Sequence, residues 1–353
     1  MMKALVLASK LESLLIPLFA LLASLALFGL FLLCVGSDPL GVFHSMYRGG
    51  FGSGFSWRNT LERAAPLMLT ALCTALPAQL GLIMIGGEGA LVIGGVVAAV
   101  TGLVFNGQAP WIVLAAMLTA CMMAGGLWIA MTGWLKYYRG VNETITSLLF
   151  NYIAIALMNH LVTGPLRDPQ SLNKPSTPPI GSASMLGDIP GLGVHWGLLF
   201  GLALCVAYYV IFRKTTFGFA VRITGGNMRA ARIAGLPVGL LTLLTCFGAG
   251  AAAGLAGGIE VAAIHGTANA SLAAGYGYAG ILVAFLARQN PLAVIPVSLV
   301  LGGITASAGL LQRSHHLPDA AVLILQGIIF MMILLSETCY GRLQAWVDDR
   351  RAA

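Results

Sequence analysis

Residues 110–133 read PWIVLAAMLTACMMAGGLWIAMTG, a run without one charged side chain. As a helix rising 1.5 Å per residue it covers roughly 36 Å, enough to cross the hydrocarbon core of a bilayer, about 30 Å thick. Comparable apolar segments, bounded by Gly, Pro or charge, recur near 14–35, 62–82, 88–105, 144–163, 195–212, 238–264, 276–288, 291–311 and 319–337. Together these runs predict about ten membrane helices, since each crossing needs about 20 apolar residues. The composition agrees, with 58% of the 353 residues apolar and only 9% charged. An ordinary soluble domain carries about 25% charged residues. The chain therefore reads as an all-α polytopic membrane helix bundle, a single transmembrane domain over residues 1–353 with interrupted helices.

The net charge of +7 first suggests nucleic acid, and the distribution of charge removes that reading. With the N-terminus inside, Lys3, Lys10, Lys136, Arg139, Arg213, Lys214, Arg222, Arg229, Arg232, Arg288, Arg342, Arg350 and Arg351 fall on the inner side. Only Arg48, Arg58, Arg63, Arg167, Lys174 and Arg313 remain outside. Cytoplasmic loops collect Lys and Arg, so both termini are expected in the cytoplasm. The Pro- and Ser-rich stretch 164–194 becomes a long extracytoplasmic loop, and 213–237 a cytoplasmic one. Cys34, Cys73, Cys121, Cys205, Cys246 and Cys339 stand singly in apolar surroundings and read as packing residues.

Two segments are too short or too broken to span simply. Residues 81–95 hold Gly86, Gly87, Glu88, Gly89, Gly94 and Gly95, and residues 276–288 end at Arg288 just before Pro291. Interrupted backbone at membrane depth survives only where protein or a water-filled cavity covers it, so both belong inside a bundle around a path. The inner loop contains a short helix with both end signals. Asn227 caps it, residues 228–234 follow, and Gly235 with Pro237 stops it. It carries Arg229 and Arg232, which suit either a helix lying on anionic membrane lipid or a rigid knob docking into a cytoplasmic partner.

Thr216-Phe217-Gly218-Phe219, Arg222, Gly226-Asn227, Ala230-Ala231-Arg232 and Ala234-Gly235 resemble the coupling loop of permease subunits of bacterial ABC importers. The family is the one serving branched-chain amino acids, simple sugars and nucleosides. Gly86-Gly87-Glu88-Gly89 resembles its Gly-x-Glu-Gly segment, although Met84 and Ala90 stand where the family usually shows Asn and Gln. Val141-Asn142-Glu143-Thr144-Ile145, Asn151-Tyr152 and Gly164-Pro165-Leu166-Arg167-Asp168-Pro169 look like the nucleoside-type branch. Gly280-Ile281, Asn290-Pro291, and Gln326-Gly327 before Glu337 follow in the family's order.

The resemblance implies a ten-helix permease in a bacterial inner membrane. It implies pairing with a second permease subunit in a heterodimer, with two ABC ATPase subunits, and with an extracytoplasmic substrate-binding protein. Its substrate would be a nucleoside or related purine compound, with a simple sugar as the alternative. An ATP-independent channel or a membrane-embedded enzyme is the alternative of another class, disfavoured by the capped inner helix and by the lack of a catalytic constellation. No lysine of the chain follows a glycine, so the P-loop GxxxxGK[ST] is absent. ATP and Mg²⁺ are expected on the ATPase subunits, with no cofactor or metal on this non-catalytic chain.

The candidate residues divide by role. Gly226, Asn227, Arg229, Ala231, Arg232 and Gly235 form the expected ATPase-coupling element. Glu88, Asn151, Asn159, Tyr276 and Tyr278 are the candidates for the translocation path. For Glu88 a structural reading stands beside the functional one, a carboxylate satisfied by the amides of its own Gly-rich break. Glu143, Thr144, Ser147 and Asn151 share a face of one helix, a stripe that either lines a conduit or bonds helix to helix. Tyr276 and Tyr278 either stack on a flat ring or anchor at the membrane interface. Gly250, Gly254 and Gly258 make a small-residue face for close helix packing. Glu260 reads as a solvated or capped carboxylate, or as a contact for the binding protein.

Overall fold

The computed structural model describes residues 2–171, 173–181 and 184–337. The side chains of Lys3 and Lys10, together with Cys339, Arg342, Arg350 and Arg351, lie outside the described residues. The chain runs through α1 (Met2–Cys34), α2 (Pro39–Phe51), α3 (Gly54–Ala78), α4 (Gly87–Val104), α5 (Pro110–Arg139) and α6 (Glu143–Thr163). After the outer loop come α7 (Gly197–Lys214), α8 (Thr216–Gly226), α9 (Met228–Ile233) and α10 (Val238–Ile259). A π-helical turn (Glu260–His265) and a short 3-10 turn (Ala270–Leu272) lead to α11 (Tyr276–Leu286), α12 (Pro291–His315) and α13 (Ala320–Glu337).

This is a polytopic helical membrane protein, but length and composition do not support the expected ten crossings. Among the described residues six helices are long and apolar enough: α4, α5, α6, α7, Val238–His265 and α12. A seventh arises if Leu18–Cys34 and α2, bent by 119°, count as one span. The shortfall has a physical cause. In α3 the charges of Glu62 and Arg63 leave only residues 64–78 uncharged, and residues 270–286 and 320–336 form shorter apolar helices. Helices α2 and α8 were not expected. At α2, Asp38 caps the amides of Leu40 and Gly41 ahead of Pro39 at the first turn.

Two compact units divide the chain, one formed by residues up to Ser56 together with those from Gly303, the other by Trp57–Gly302. In the first, α1 packs on α13, Ser45 Oγ lies 2.9 Å from His315 Nε2, and Gln326 Nε2 donates to Thr305 Oγ1 at 3.1 Å. In the second, α10 has its most extensive contacts with α5 and α4, and the core around them holds Leu91, Val96, Met117, Leu255 and Ile259. Glycine permits this approach. A Cβ on Gly250 or Gly254 would overlap the backbone of α5 at Gly125 and Cys121, and one on Gly258 would meet the Cys121 side chain at 2.5 Å. Cys73, Cys121, Cys205 and Cys246 are buried and free, while Cys34 is free and exposed.

The outer loop is pinned rather than loose. Thr177 N donates to Ala268 O at 3.0 Å, Ile180 N to Gly266 O at 2.9 Å and Leu186 N to Ala262 O at 2.7 Å. Its backbone thereby satisfies carbonyls left free by the π-helical turn and the connection after it.

Candidate functional site

Two helices begin inside the second unit, α4 after the extended stretch 82–86 and α11 after Gly275, and their N-termini meet. Glu88, 1% exposed, sits in the first turn of α4. Its Oε1 accepts from Gly275 N at 2.8 Å and its Oε2 from Gly277 N at 2.6 Å. One carboxylate thus stands between two helix N-termini, where unpaired amides and the helix dipoles both favour negative charge. The amides come from the second break and not from the Gly-rich break of Glu88 itself, the source that the structural reading names. Only glycine fits at 277, because a Cβ there would overlap the backbone of Glu88.

The polar stripe of α6 holds the extended stretch in place. Thr144 Oγ1 donates to Ile83 O at 3.0 Å, and Ile85 N donates to Ser147 Oγ at 3.0 Å. Asn151 Nδ2 donates to Ile85 O at 2.8 Å, while its Oδ1 accepts from Gly89 N at 2.7 Å. Both ends of the Asn151 amide therefore bond backbone, which is the helix-bonding reading of the stripe. Asn159 is exposed and lies apart from this group. Glu143 pairs with Lys136 at 2.7 Å.

Beside Glu88 the two tyrosines separate. Tyr278 is 40% exposed and hydrogen-bonds the Asn151 side chain. Tyr276, whose carbonyl accepts from Thr70 Oγ1 at 2.9 Å, lines a cavity of about 380 Å³. That is within the usual range of small-molecule sites, about 300–1,000 Å³. Asn59, Glu62 and Arg63 of α3, Glu260 and His265 of the π-helical turn, and Ser271 complete its polar wall. Arg63 hydrogen-bonds Tyr276 through its side chain.

Glu260 is 4% exposed, so of its two sequence readings the solvated carboxylate does not hold. Its Oε2 lies 3.6 Å from His265 Nε2, and its Oε1 has no hydrogen-bond partner among the described residues. The sequence reading missed Asn59, Glu62, Arg63, His265 and Ser271. The available signal was Glu62-Arg63, two adjacent charges opening an otherwise apolar run.

At the inner loop, Asn227 Oδ1 accepts from the amides of Arg229 and Ala230, both at 3.0 Å. Gly235, at φ +78°, ends α9, and Leu236 N bonds Ala231 O at 3.0 Å. Ala231 is fully buried, so its side chain faces the chain's own interior and not a partner. The outward face carries Arg229, Ala230 and Ile233, which is 90% exposed. Arg232 lies over the Tyr137 ring at 5.2 Å.

Residues 57–334 match the family described as the branched-chain amino acid transport system permease component. The chain belongs to this permease family. A glucose ABC transporter permease protein of Haloferax volcanii is 33% identical, over 91% of this permease and 87% of its own length. A guanosine ABC transporter permease protein of Bacillus subtilis is 30% identical over 93% and 94%. A nucleoside ABC transporter permease protein of Lactococcus lactis is 24% identical over 92% of each chain.

Proposed function

We propose that this chain is the permease subunit of an ATP-driven importer and forms half of the path for a nucleoside or related purine compound. The carrying observation is the cavity of about 380 Å³ that joins the Tyr276 ring to donors and acceptors on Asn59, Glu62, Arg63, Glu260 and Ser271. An aromatic surface beside paired polar groups suits an uncharged solute with a flat ring and several hydrogen-bonding groups. The guanosine and nucleoside permeases among the relatives support this choice. A simple sugar is the second reading, favoured by the glucose permease of Haloferax volcanii.

In this proposal the chain works as one transmembrane domain, with a second permease subunit, ABC ATPase subunits that hold ATP and Mg²⁺, and an extracytoplasmic binding protein. Ten crossings follow if α3, residues 270–286 and residues 320–336 join the six long helices and the bent α1–α2 pair inside the assembled bundle. Both termini then lie in the cytoplasm of a bacterial inner membrane, and α9 meets the ATPase.

The test is uptake by proteoliposomes holding the complete importer, with labelled guanosine and labelled glucose. Saturable, ATP-dependent guanosine uptake that excess glucose leaves unchanged is the expected result. Uptake of glucose alone replaces the nucleoside by the sugar.

A further inference from the structure

We infer that Glu260 is the residue that reads a pair of neighbouring hydroxyl groups on the transported solute. The inference rests on the importer reading. It does not depend on the choice between nucleoside and sugar, because a ribose ring and a hexose both carry adjacent hydroxyls.

The geometry of the π-helical turn leads to it. Turns of this kind are rare and cluster at functional sites, because the extra residue re-aims side chains. Here the turn Glu260–His265 places a carboxylate in the wall of the cavity, 96% removed from solvent, with one oxygen unpartnered among the described residues. A buried carboxylate oxygen without a donor is costly, so the site is complete only when a donor arrives.

The rest of the wall limits what that donor is. Arg63 faces Glu260 and Glu62 electrostatically and is also bonded to Tyr276, so the cavity already contains a cation. With Arg63 opposed by the carboxylates of Glu62 and Glu260, it carries no surplus positive charge to attract a phosphate ester. Neutral N–H and O–H donors remain, and of these an adjacent pair of hydroxyls is the one that a nucleoside and a simple sugar have in common. A carboxylate only accepts, and its two oxygens can take two donors side by side through short, charge-assisted bonds. Acidic side chains hold ribose hydroxyls by this chemistry in dinucleotide-binding folds. The Tyr276 ring in the same wall offers a surface for the remainder of the solute.

The experiment compares guanosine with 2′,3′-dideoxyguanosine in proteoliposomes of the complete importer, with the same unaltered binding protein throughout. Wild type, Glu260→Gln and Glu260→Asp are each checked for assembly by co-purification of the ATPase. Glu260→Gln is expected to lower the ratio of guanosine to dideoxyguanosine uptake about tenfold or more, because a hydrogen bond to a charged group is lost. Glu260→Asp, which keeps the carboxylate but withdraws it, is expected to fall between. An unchanged ratio, or an equal fall for both solutes, overturns the inference and leaves Glu260 a structural residue. If Glu260→Gln does not assemble, the ratio in Glu260→Asp decides in the same way. Should the wild type carry glucose and no guanosine, the nucleoside reading fails. Glucose against 2-deoxyglucose and 3-deoxyglucose then tests Glu260 on the same criterion.

Discussion

Glu88 shows how one side chain serves two elements. Its carboxylate accepts the amides on either side of Tyr276, and that clamp sets where the ring sits in the cavity wall. Glu88 does not itself line the cavity, so its effect on transport passes through the position of α11. In Glu88→Gln one oxygen becomes an NH₂ group facing an amide donor. A hydrogen bond to a charged group contributes about 1.5–3 kcal/mol, so a loss of about 2 kcal/mol or more is expected. Thermal unfolding of the purified permease and uptake by the assembled importer are expected to fall together. Lost uptake with unaltered melting and assembly would show that the carboxylate acts on the solute directly.

Among the elements, α9 has six residues and would not persist alone, since isolated helices this short are marginal in water. It is held by the Asn227 cap, by the buried Ala231 methyl group and by Arg232 lying over Tyr137. These contacts make it rigid and leave Ile233 pointing outward. An Ile 90% exposed on a rigid helix suits an apolar pocket on a partner, and its burial contributes about 1.5–3 kcal/mol. Ile233→Asp is therefore expected to leave insertion intact while reducing ATPase co-purification and uptake about tenfold. Ala231→Trp is expected to lower the yield of folded permease instead, because no space exists for the indole. Wild-type co-purification of Ile233→Asp would rule out this face as the coupling surface.

For the whole molecule the question is which side of the membrane each loop occupies. The Pro- and Ser-rich segment lies hydrogen-bonded along residues 262–268, while α8 and α9 sit in the loop that carries Arg213, Lys214, Arg222, Arg229 and Arg232. The charge asymmetry predicts a cytoplasmic position for the second loop. A reporter active only outside the cytoplasm is expected to work when fused after Gly191 and to be silent when fused after Gly226. The opposite pattern would require one crossing more or fewer between α6 and α8.

Much of this was legible in the sequence because its signals are local. Uncharged runs, the Asn227 and Gly235 end signals of α9, and the spacing of Gly250, Gly254 and Gly258 depend only on neighbours along the chain. Resemblance in ordered motifs sufficed to reach the permease family before any geometry was known. Burial direction was not legible. In lipid the outside of a helix is as apolar as its inside, so hydrophobic periodicity does not tell which face meets a neighbour. Only the tertiary structure could decide that Ala231 faces inward and Ile233 outward. It likewise decided that Glu88 takes its amides from residues 275 and 277, far along the chain, and that Glu260 joins Glu62 and Arg63 around one cavity. Each of these depends on helices distant in sequence brought within hydrogen-bonding distance, and the glycines of α10 and α11 permit that approach.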